Sequence, residues 1–235
     1  MVLLIAAGTA TLGDGRAPDS PTREVELEAY RIDQTEVSIA AFEAWVEEGY
    51  ATRAHWSDAG WEWAQAHPQG AGPELRAGDR SGEHPVVAVT FWEAEAFCAA
   101  GSGRLPTEAE WEHAACAHGS RYAWGDSVEA AAVWYAGDKY GHVASIATAP
   151  VSEQDPTLAS PAGLLHTAGN VWEWTASSYH RDPSFEQQTP WRVVRGGSFA
   201  NLPSYCTCTH REPRVPEDAM MTTGFRCAYA ADQAG

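Results

Sequence analysis

Residues 191–229, WRVVRGGSFANLPSYCTCTHREPRVPEDAMMTTGFRCAY, contain the pattern that decides the fold. An apolar run, Val193 and Val194, is followed at once by Gly196 and Gly197. Two adjacent glycines after a strand allow positive φ angles and close backbone approach, so we predict a sharp turn there. The stretch ends on GFRC at 224–227, which is typical of a second strand that returns to the core.

Between these two predicted strands lies a dense set of chemically capable side chains. They are Ser198, Asn201, Tyr205, Cys206, Cys208 and His210. Such side chains can bind metal ions or carry out acid–base and thiol chemistry. Functional residues are often held on loops by a rigid frame, so we predict that the functional site lies in this segment.

The composition is typical of one folded domain with an acidic surface. The chain has 235 residues, 44% of them hydrophobic, which is enough for one sizeable core over 1–235. The net charge of −17 and the pI near 4.8 argue against nucleic acid or an anionic membrane as a partner. The 11 Trp, 21 Gly and 14 Pro favour an aromatic core with many loops over a helical bundle.

The start of the chain, MVLLIAA at 1–7, is apolar but has no basic region before it. We therefore interpret it as a first β-strand rather than a signal peptide. No run reaches the roughly 18 apolar residues of a membrane helix. These features predict a cytoplasmic protein whose five cysteines are mostly free thiols or metal ligands.

Local patterns predict short elements separated by turns. Residues 24–30 alternate charged and apolar side chains like a half-buried strand, and 85–89 are predicted as a short buried strand. Ser38 is placed to cap a helix, and capping boxes beginning at Thr90 and Thr107 predict two more. Residues 50–70 show no clear period and are predicted as an insertion packed over the core or the site. Residues 71–83 are predicted as a loop, and residues 119–169 as short strands and turns.

Five motifs occur in a fixed order along the chain. They are GRLPTEAEWEHAA (103–115), YAWGD (122–126), AGNVWEWTASS (168–178), RVVRGGSF (192–199) and GFRCA (224–228). Together they resemble the formylglycine-generating enzyme family, also called sulfatase-modifying factors, over essentially the whole chain. The resemblance implies an α+β, C-type-lectin-like (sulfatase-modifying-factor) fold with twisted antiparallel strands, a few helices and much irregular chain.

The resemblance implies a catalytic site around Cys206. Formylglycine-forming members hold copper(I) between two cysteines and use oxygen to oxidise a substrate cysteine to an aldehyde. Ser198, Tyr205 and Cys206 match their motif, but Asn201 stands where the first cysteine is expected. Soft thiolates are the ligands that select copper(I), so the usual formylglycine reaction is not expected.

Two further metals follow from the resemblance. Iron-dependent relatives that make ergothioneine take histidine ligands from an additional helical domain, which we do not expect in this chain. Other relatives carry a structural calcium whose oxygen ligands match the carbonyls of Gly169 and Val171 and the carboxylate of Glu173. His166 stands at the remaining ligand position, and calcium prefers oxygen to imidazole. Glu173 either binds calcium or satisfies nearby backbone N–H groups.

The run CTCTH at 206–210 suggests a different metal site. In an extended strand, Cys206, Cys208 and His210 would share one face. Cys208 would then supply the sulfur that Asn201 lacks, and His210 an imidazole, a set suited to copper or zinc. Alternatively, Cys208 and His210 pack against a helix, with Cys116 as the nearest partner in kind.

Other prominent residues are predicted to be structural. The tryptophans assigned to the core are Trp92, Trp111, Trp124, Trp172 and Trp174. The acidic residues expected to cap and solvate a helix are Glu108, Glu110 and Glu112. Cys98 and Cys227 match a pair that is close or bridged in secreted relatives, and in a cytosolic protein they are expected to be reduced.

Two functional hypotheses follow. The leading one is a metal-dependent oxidoreductase with copper or iron near Cys206, acting on a thiol, a peptide or a small nitrogenous substrate. The other is a noncatalytic lectin-like module in which the same surface binds a ligand or a protein. The sequence leaves the substrate, the metal and the oligomeric state open.

Overall fold

The computed structural model describes residues 1–72, 82–116, 119–127, 148–154, 156–181 and 189–232. Within these ranges the chain has an α+β architecture with four α-helices and three small β-sheets. The helices are α1 (Ile39–Ala51), α2 (Asp58–Ala66), α3 (Phe91–Ala100) and α4 (Glu108–Ala115). No helix in the described ranges is long and apolar enough to cross a membrane.

The strands are short and mostly antiparallel. They are β1 (Val2–Ile5), β2 (Gly8–Leu12), β3 (Arg23–Leu27), β4 (Tyr30–Asp33), β5 (Trp172–Ser178), β6 (Arg192–Arg195), β7 (Arg211–Arg214), β8 (Thr223–Gly224) and β9 (Ala228–Ala230). The three sheets have the orders β1-β4-β9, β2-β3 and β7-β6-β5-β8, and β5 and β8 are the parallel neighbours. The predicted strands at the start of the chain and around 24–30 are confirmed.

The predicted helix starts are confirmed in detail. Ser38 Oγ accepts from Ala41 N at 3.3 Å, and complete capping boxes link Thr90 with Glu93 and Thr107 with Glu110. Each box satisfies two N–H groups that the first helical turn leaves without partners. These caps depend on residues three positions apart, which is why the sequence identifies them.

The segment 50–70, predicted as an insertion packed over the core or the site, contains helix α2, which begins after the cap Ser57 and packs its tryptophans into an aromatic cluster rather than along one stripe. The predicted strand at 85–89 is wrong. These residues are buried but form no strand, because only Pro85 bridges to Ser38 and Ala88 has a φ angle of 54°. Most of the predicted loop 71–83 lies outside the described residues, as does much of 119–169.

The core is aromatic, as predicted. Trp111, Trp172 and Trp174 are at most 2% exposed, and Trp172 and Trp174 pack with the main hydrophobic cluster that includes Phe91. Trp92 is only partly buried and packs at the edge of this cluster. Trp124 is also only partly buried. The rigid frame beneath the candidate site is therefore the tryptophan-bearing strand β5.

Two disulfides overturn the prediction of reduced cysteines. Cys98 bonds to Cys227 in the core, and Cys116 bonds to Cys208. The one free cysteine is Cys206. Disulfides are typical of proteins in oxidising compartments, so the two bonds argue against the predicted cytoplasmic location.

Candidate functional site

The predicted glycine turn opens the candidate site. Gly196 and Gly197 have φ angles of 94° and 73°, and Gly169 N donates to Gly196 O at 2.9 Å. A Cβ atom at Gly197 would lie 2.6 Å from Cys206 Sγ. Only glycine fits there, because its positive φ brings the backbone against the thiol.

Asn201 is the hydrogen-bonding centre of the loop that follows. Its Oδ1 accepts from Trp172 Nε1 at 2.9 Å, from Ser198 N at 3.1 Å and from Ser198 Oγ at 2.6 Å. One oxygen therefore ties the loop to strand β5. The residue at the first cysteine position of the motif acts here as a structural brace, and its oxygen is fully used.

Cys206 is a buried thiol. It is 2% exposed, and burial raises the pKa of its thiol to about 12, although a hydrogen bond from the Ser198 backbone opposes this. Thiolates, not thiols, are metal ligands and nucleophiles. With a thiol here and an amide at Asn201, the residues do not fit a two-thiolate copper(I) site.

The predicted metal set of Cys206, Cys208 and His210 is not formed. A 3₁₀ turn at Pro203–Tyr205 and a further turn replace the expected extended strand, so the three side chains do not share a strand face. The Cys208 sulfur is bonded to Cys116, the residue that the alternative placed near it without a bond, and is not available as a thiolate. In the described part of the chain, no group of three His, Cys, Asp or Glu could hold a metal ion.

The predicted calcium ligands do not fit calcium. Both oxygens of Glu173 are bound by Arg226, at 2.6 Å from Nε and 2.7 Å from Nη2, and Trp111 Nε1 donates to Oε2 at 2.7 Å. Burial, and then Arg226, lower the pKa of His166 to about 4, so its ring is neutral. Glu173 is therefore committed to Arg226 and Trp111, and His166 offers an imidazole where calcium prefers oxygen.

A partly exposed aromatic and polar surface lies beside the braced loop. Tyr205 is 38% exposed, and its ring contacts that of His210 with centroids 5.0 Å apart. His210 also lies 5.7 Å from the Trp172 ring, and its Nε2 is 3.5 Å from Glu212 Oε1. This contact is the main cause of the lowered pKa of Glu212. We call Trp172, Asn201, Tyr205, His210 and Glu212 the His210 face.

An open polar groove of about 590 Å³ borders the His210 face. Its lining includes Ser204, Thr207, Thr209 and His210 together with residues of both charge signs. Arg16, for example, pairs with Asp14 at 3.3 Å. Hydroxyl groups and mixed charges suit a polar ligand rather than an apolar one.

A buried ionic network lies under the other face of the sheet. Arg211 binds Glu108 through two nitrogens, both at 2.6 Å, and Arg195 lies 3.1 Å from Glu108 and 2.7 Å from Glu112. Burial alone would raise the pKa of Glu108, but Arg195 and Arg211 outweigh it and lower that pKa. Glu108 and Glu112 are therefore buried ion-pair partners, and the prediction that they are solvated is wrong. Their spacing of four residues on α4 was the available signal.

A second buried network places Glu36 and Glu173 near one arginine, Arg226, on which Asp33 also acts electrostatically. Glu36 accepts from Asn170 Nδ2 at 3.0 Å and lies near the Glu173–Arg226 pair. Burial raises the pKa of Glu36 to about 8, and the charge of Glu173 adds to this effect. One of the two carboxylates therefore keeps a proton at neutral pH.

Comparisons with known proteins give matches that cover nearly the whole chain. The family model "Sulfatase-modifying factor enzyme 1-like domain" matches residues 1–231. The chain is 33% identical over 272 residues to the formylglycine-generating enzyme of Streptomyces coelicolor, covering 94% of this chain and 85% of that one. It is 32% identical over 246 residues to the hercynine oxygenase of Mycolicibacterium thermoresistibile, covering 92% of this chain but 54% of that one. The chain thus spans about half the length of the second relative.

Solved structures agree on the fold. Treponema denticola variable protein 1 superposes with a TM-score of 0.73 at 24% identity, covering 97% of this chain and 94% of that one. PvdO from Pseudomonas aeruginosa gives 0.70 at 22% identity with the same coverage. These likenesses support the C-type-lectin-like, sulfatase-modifying-factor fold that the motifs imply. On the match over residues 1–231 and the 33% identity, the chain belongs to the family of sulfatase-modifying factor enzyme 1-like domains.

Proposed function

We propose that this chain recognises a small nitrogenous molecule or a thiol-containing peptide on the His210 face, without copper chemistry between two cysteines. The observation that carries the proposal is the state of the two cysteine positions of the motif. Asn201 Oδ1 accepts three hydrogen bonds, and Cys206 is a buried thiol. Neither offers an open metal ligand, whereas Tyr205 and His210 beside them reach solvent.

The chemistry of the surface supports recognition. The exposed ring of Tyr205 offers a stacking face, and the His210–Glu212 pair offers a donor and an acceptor. The brace at Asn201 holds this loop against β5. A preorganised loop loses less entropy when it binds a ligand, which favours affinity.

Isothermal titration without added metal tests the proposal with two ligands that the names of the relatives suggest. They are hercynine and a cysteine peptide of the sulfatase type. We expect one of them to bind, and we expect Tyr205→Ala and His210→Ala to weaken that binding by about tenfold. Leu4→Ala, which changes a 60% exposed residue on β1, is the matched control and should bind normally. Absence of binding by both ligands, or equal binding by all variants, refutes the proposal.

The variant Asn201→Cys tests the statement about copper. It restores the cysteine pair of the family motif, with Asn201→Ser as a control that removes the amide without adding sulfur. We expect copper(I) to bind tightly to Asn201→Cys and not to the wild type or to the serine variant. Aldehyde formation by the wild-type protein with a cysteine peptide, copper and oxygen would contradict this expectation.

A second candidate function is a metal-dependent oxidoreductase that uses copper or iron. The relatives named formylglycine-generating enzyme and hercynine oxygenase favour it. On this candidate, His210 and Glu212 contribute ligands to the metal near Cys206. Metal analysis of the purified protein separates the two candidates. About one copper or iron per chain favours the oxidoreductase, and none favours recognition alone.

A further inference from the structure

Strands β6 and β7 bring two pairs of arginines face to face. In the antiparallel register, Arg195 lies opposite Arg211, and Arg192 lies opposite Arg214. Residues directly opposite each other have Cβ atoms about 4.5–5.5 Å apart, and like charges in these positions are destabilising. Each pair therefore needs an anion nearby.

The inner pair, Arg195 and Arg211, is neutralised by carboxylates of the chain itself. Arg195 and Arg211 share Glu108, and Arg195 also binds Glu112, both carboxylates coming from α4. All four side chains are at most 8% exposed. Two positive charges meet two negative charges, so this cluster is balanced.

The outer pair, Arg192 and Arg214, has fewer carboxylate partners. Arg214 has one carboxylate at ion-pair distance in the described part of the chain, Glu212 Oε2 at 3.5 Å, and Glu212 is shared with His210. Arg192 stacks over Phe91 at 4.5 Å and donates from Nη1 to two neutral oxygens of β5, Ala176 O and Ser178 Oγ, each at 3.2 Å.

No carboxylate within the described ranges completes the outer pair. Glu95 acts on Arg192 electrostatically, but it forms no ion pair with it and accepts instead from Ser57 Oγ at 2.6 Å. The Nε atoms of Arg192 and Arg214 are buried, and neither has a hydrogen-bond acceptor among the described residues. Arg195 Nε of the inner pair is buried and without an acceptor among these residues as well, so the outer pair is distinguished by its missing carboxylates and not by its Nε atoms.

We propose that Arg192 and Arg214 form a binding site for an oxyanion, the carboxylate or phosphate group of a ligand. Guanidinium groups present planar forks of N–H donors that match such oxygens in pairs. Because both Nε atoms are closed to solvent, the terminal nitrogens make the contacts. The Arg214 side chain is 18% exposed, which gives the anion a route from solvent.

The oxyanion site adjoins the His210 face through Glu212. One oxygen of Glu212 lies 3.5 Å from His210, and the other lies 3.5 Å from Arg214. A ligand held on the His210 face would thus reach the arginines with an anionic group. This continuity depends on the proposed function, whereas oxyanion binding by the arginine pair does not.

Side-chain NMR of the full chain tests the site with simple probes. Sodium propionate, inorganic phosphate and neutral propionamide are titrated at constant ionic strength while the arginine Nε–H signals are observed. We expect propionate or phosphate to shift the signals of Arg192 and Arg214 and propionamide to shift neither. Tighter binding of propionate assigns a carboxylate ligand, and tighter binding of phosphate assigns a phosphate ester.

Variants of Arg214 decide whether the binding is specific. Arg214→Gln should weaken anion binding by about tenfold or more, and Arg214→Lys should retain part of it. Arg53→Gln removes an arginine that pairs with Asp58, and it should leave anion binding unchanged. An unchanged dissociation constant in Arg214→Gln, or equal losses in Arg214→Gln and Arg53→Gln, overturns the proposal. Tyr205→Ala should not affect binding of these simple anions, which separates this test from that of the proposed function.

Discussion

The two ends of the β6–β7 pairing hold the same residue pair in opposite surroundings. At one end, Arg195 and Arg211 lie beneath α4, which brings two glutamates four residues apart onto them. At the other end, Arg192 stacks over Phe91 of α3, which offers no charge, and Arg214 has only the 3.5 Å contact with Glu212 among the described residues. The difference teaches that the helix packed over a strand pair decides whether its charges are balanced within the fold.

The cluster around Arg226 limits its net charge by keeping a proton on a carboxylate. Glu36 and Glu173 are two carboxylates for one guanidinium, and a raised pKa lets Glu36 keep a proton. Carboxylates, a bound proton and a ligand anion are thus three ways to neutralise charge in a low-dielectric interior. Among the clusters that the described residues form, the outer arginine pair is the one that we propose to depend on an anion from outside the chain.

The largest expected effect comes from breaking the inner pair. Arg195→Gln removes the partner of Glu112 and half of the charge around Glu108 while leaving both carboxylates buried. We expect a loss of about 3–5 kcal/mol in the free energy of unfolding, the usual cost of an uncompensated buried charge. Urea unfolding measures it, with the surface variant Arg53→Gln as control. A loss below about 1 kcal/mol would mean that the network is not stabilising.

A pH series tests the proton on Glu36. Its folded pKa of about 8 lies above the ordinary value of 4.5, so the folded state binds more protons between these values. Glu36 therefore makes its complete contribution to the free energy of unfolding below about pH 4.5, and this contribution is lost as the pH rises through about 8. Its slope approaches about 1.4 kcal/mol per pH unit.

Glu36→Gln should abolish that contribution, so the variant gains stability relative to the wild type as the pH rises. The difference between the two proteins isolates Glu36, because His166, whose pKa is lowered to about 4, acts with the opposite sign in both. Urea unfolding near pH 5 and near pH 8 gives the difference in free energy of unfolding between the wild type and Glu36→Gln at each pH. Equal differences at both pH values would show that Glu36 is ionised throughout.

A smaller effect is expected from the brace beneath the His210 face. Trp172→Phe keeps an aromatic ring but removes the Nε1 donor to Asn201, whose oxygen retains its two bonds from Ser198. We expect a loss of about 1–3 kcal/mol from one hydrogen bond and a reduced ring. Thermal unfolding together with the Tyr205 environment in NMR spectra measures it. An unchanged loop and an unchanged melting temperature would show that the hydrogen bond from Trp172 to Asn201 does not hold the loop.

The features that the sequence predicts correctly depend on neighbouring residues. The caps at Ser38, Thr90 and Thr107 involve partners three positions away, and the turn at Gly196 and Gly197 needs only their backbone freedom. The fold followed from five ordered motifs, each of which is itself local.

The features that the sequence misses depend on distant pairing. Glu108 binds Arg211 across 103 residues, and Cys116 bonds to Cys208 across 92. From residue types alone, Cys208 could be a metal ligand. The fold brings Cys116 next to it, and the disulfide between them makes its sulfur unavailable to a metal. The brace at Asn201 likewise requires Trp172, which lies 29 residues earlier and approaches through the sheet.

The most direct test of the charge-balance account is the free energy of unfolding of Arg214→Gln, measured by urea at low salt beside Arg195→Gln. If the outer pair lacks its anion in the free protein, removing one of its charges relieves repulsion and sacrifices only the 3.5 Å contact with Glu212. We expect a free energy of unfolding within about 0.5 kcal/mol of the wild type, or slightly above it. A loss of about 2 kcal/mol or more, approaching that of Arg195→Gln, would contradict it.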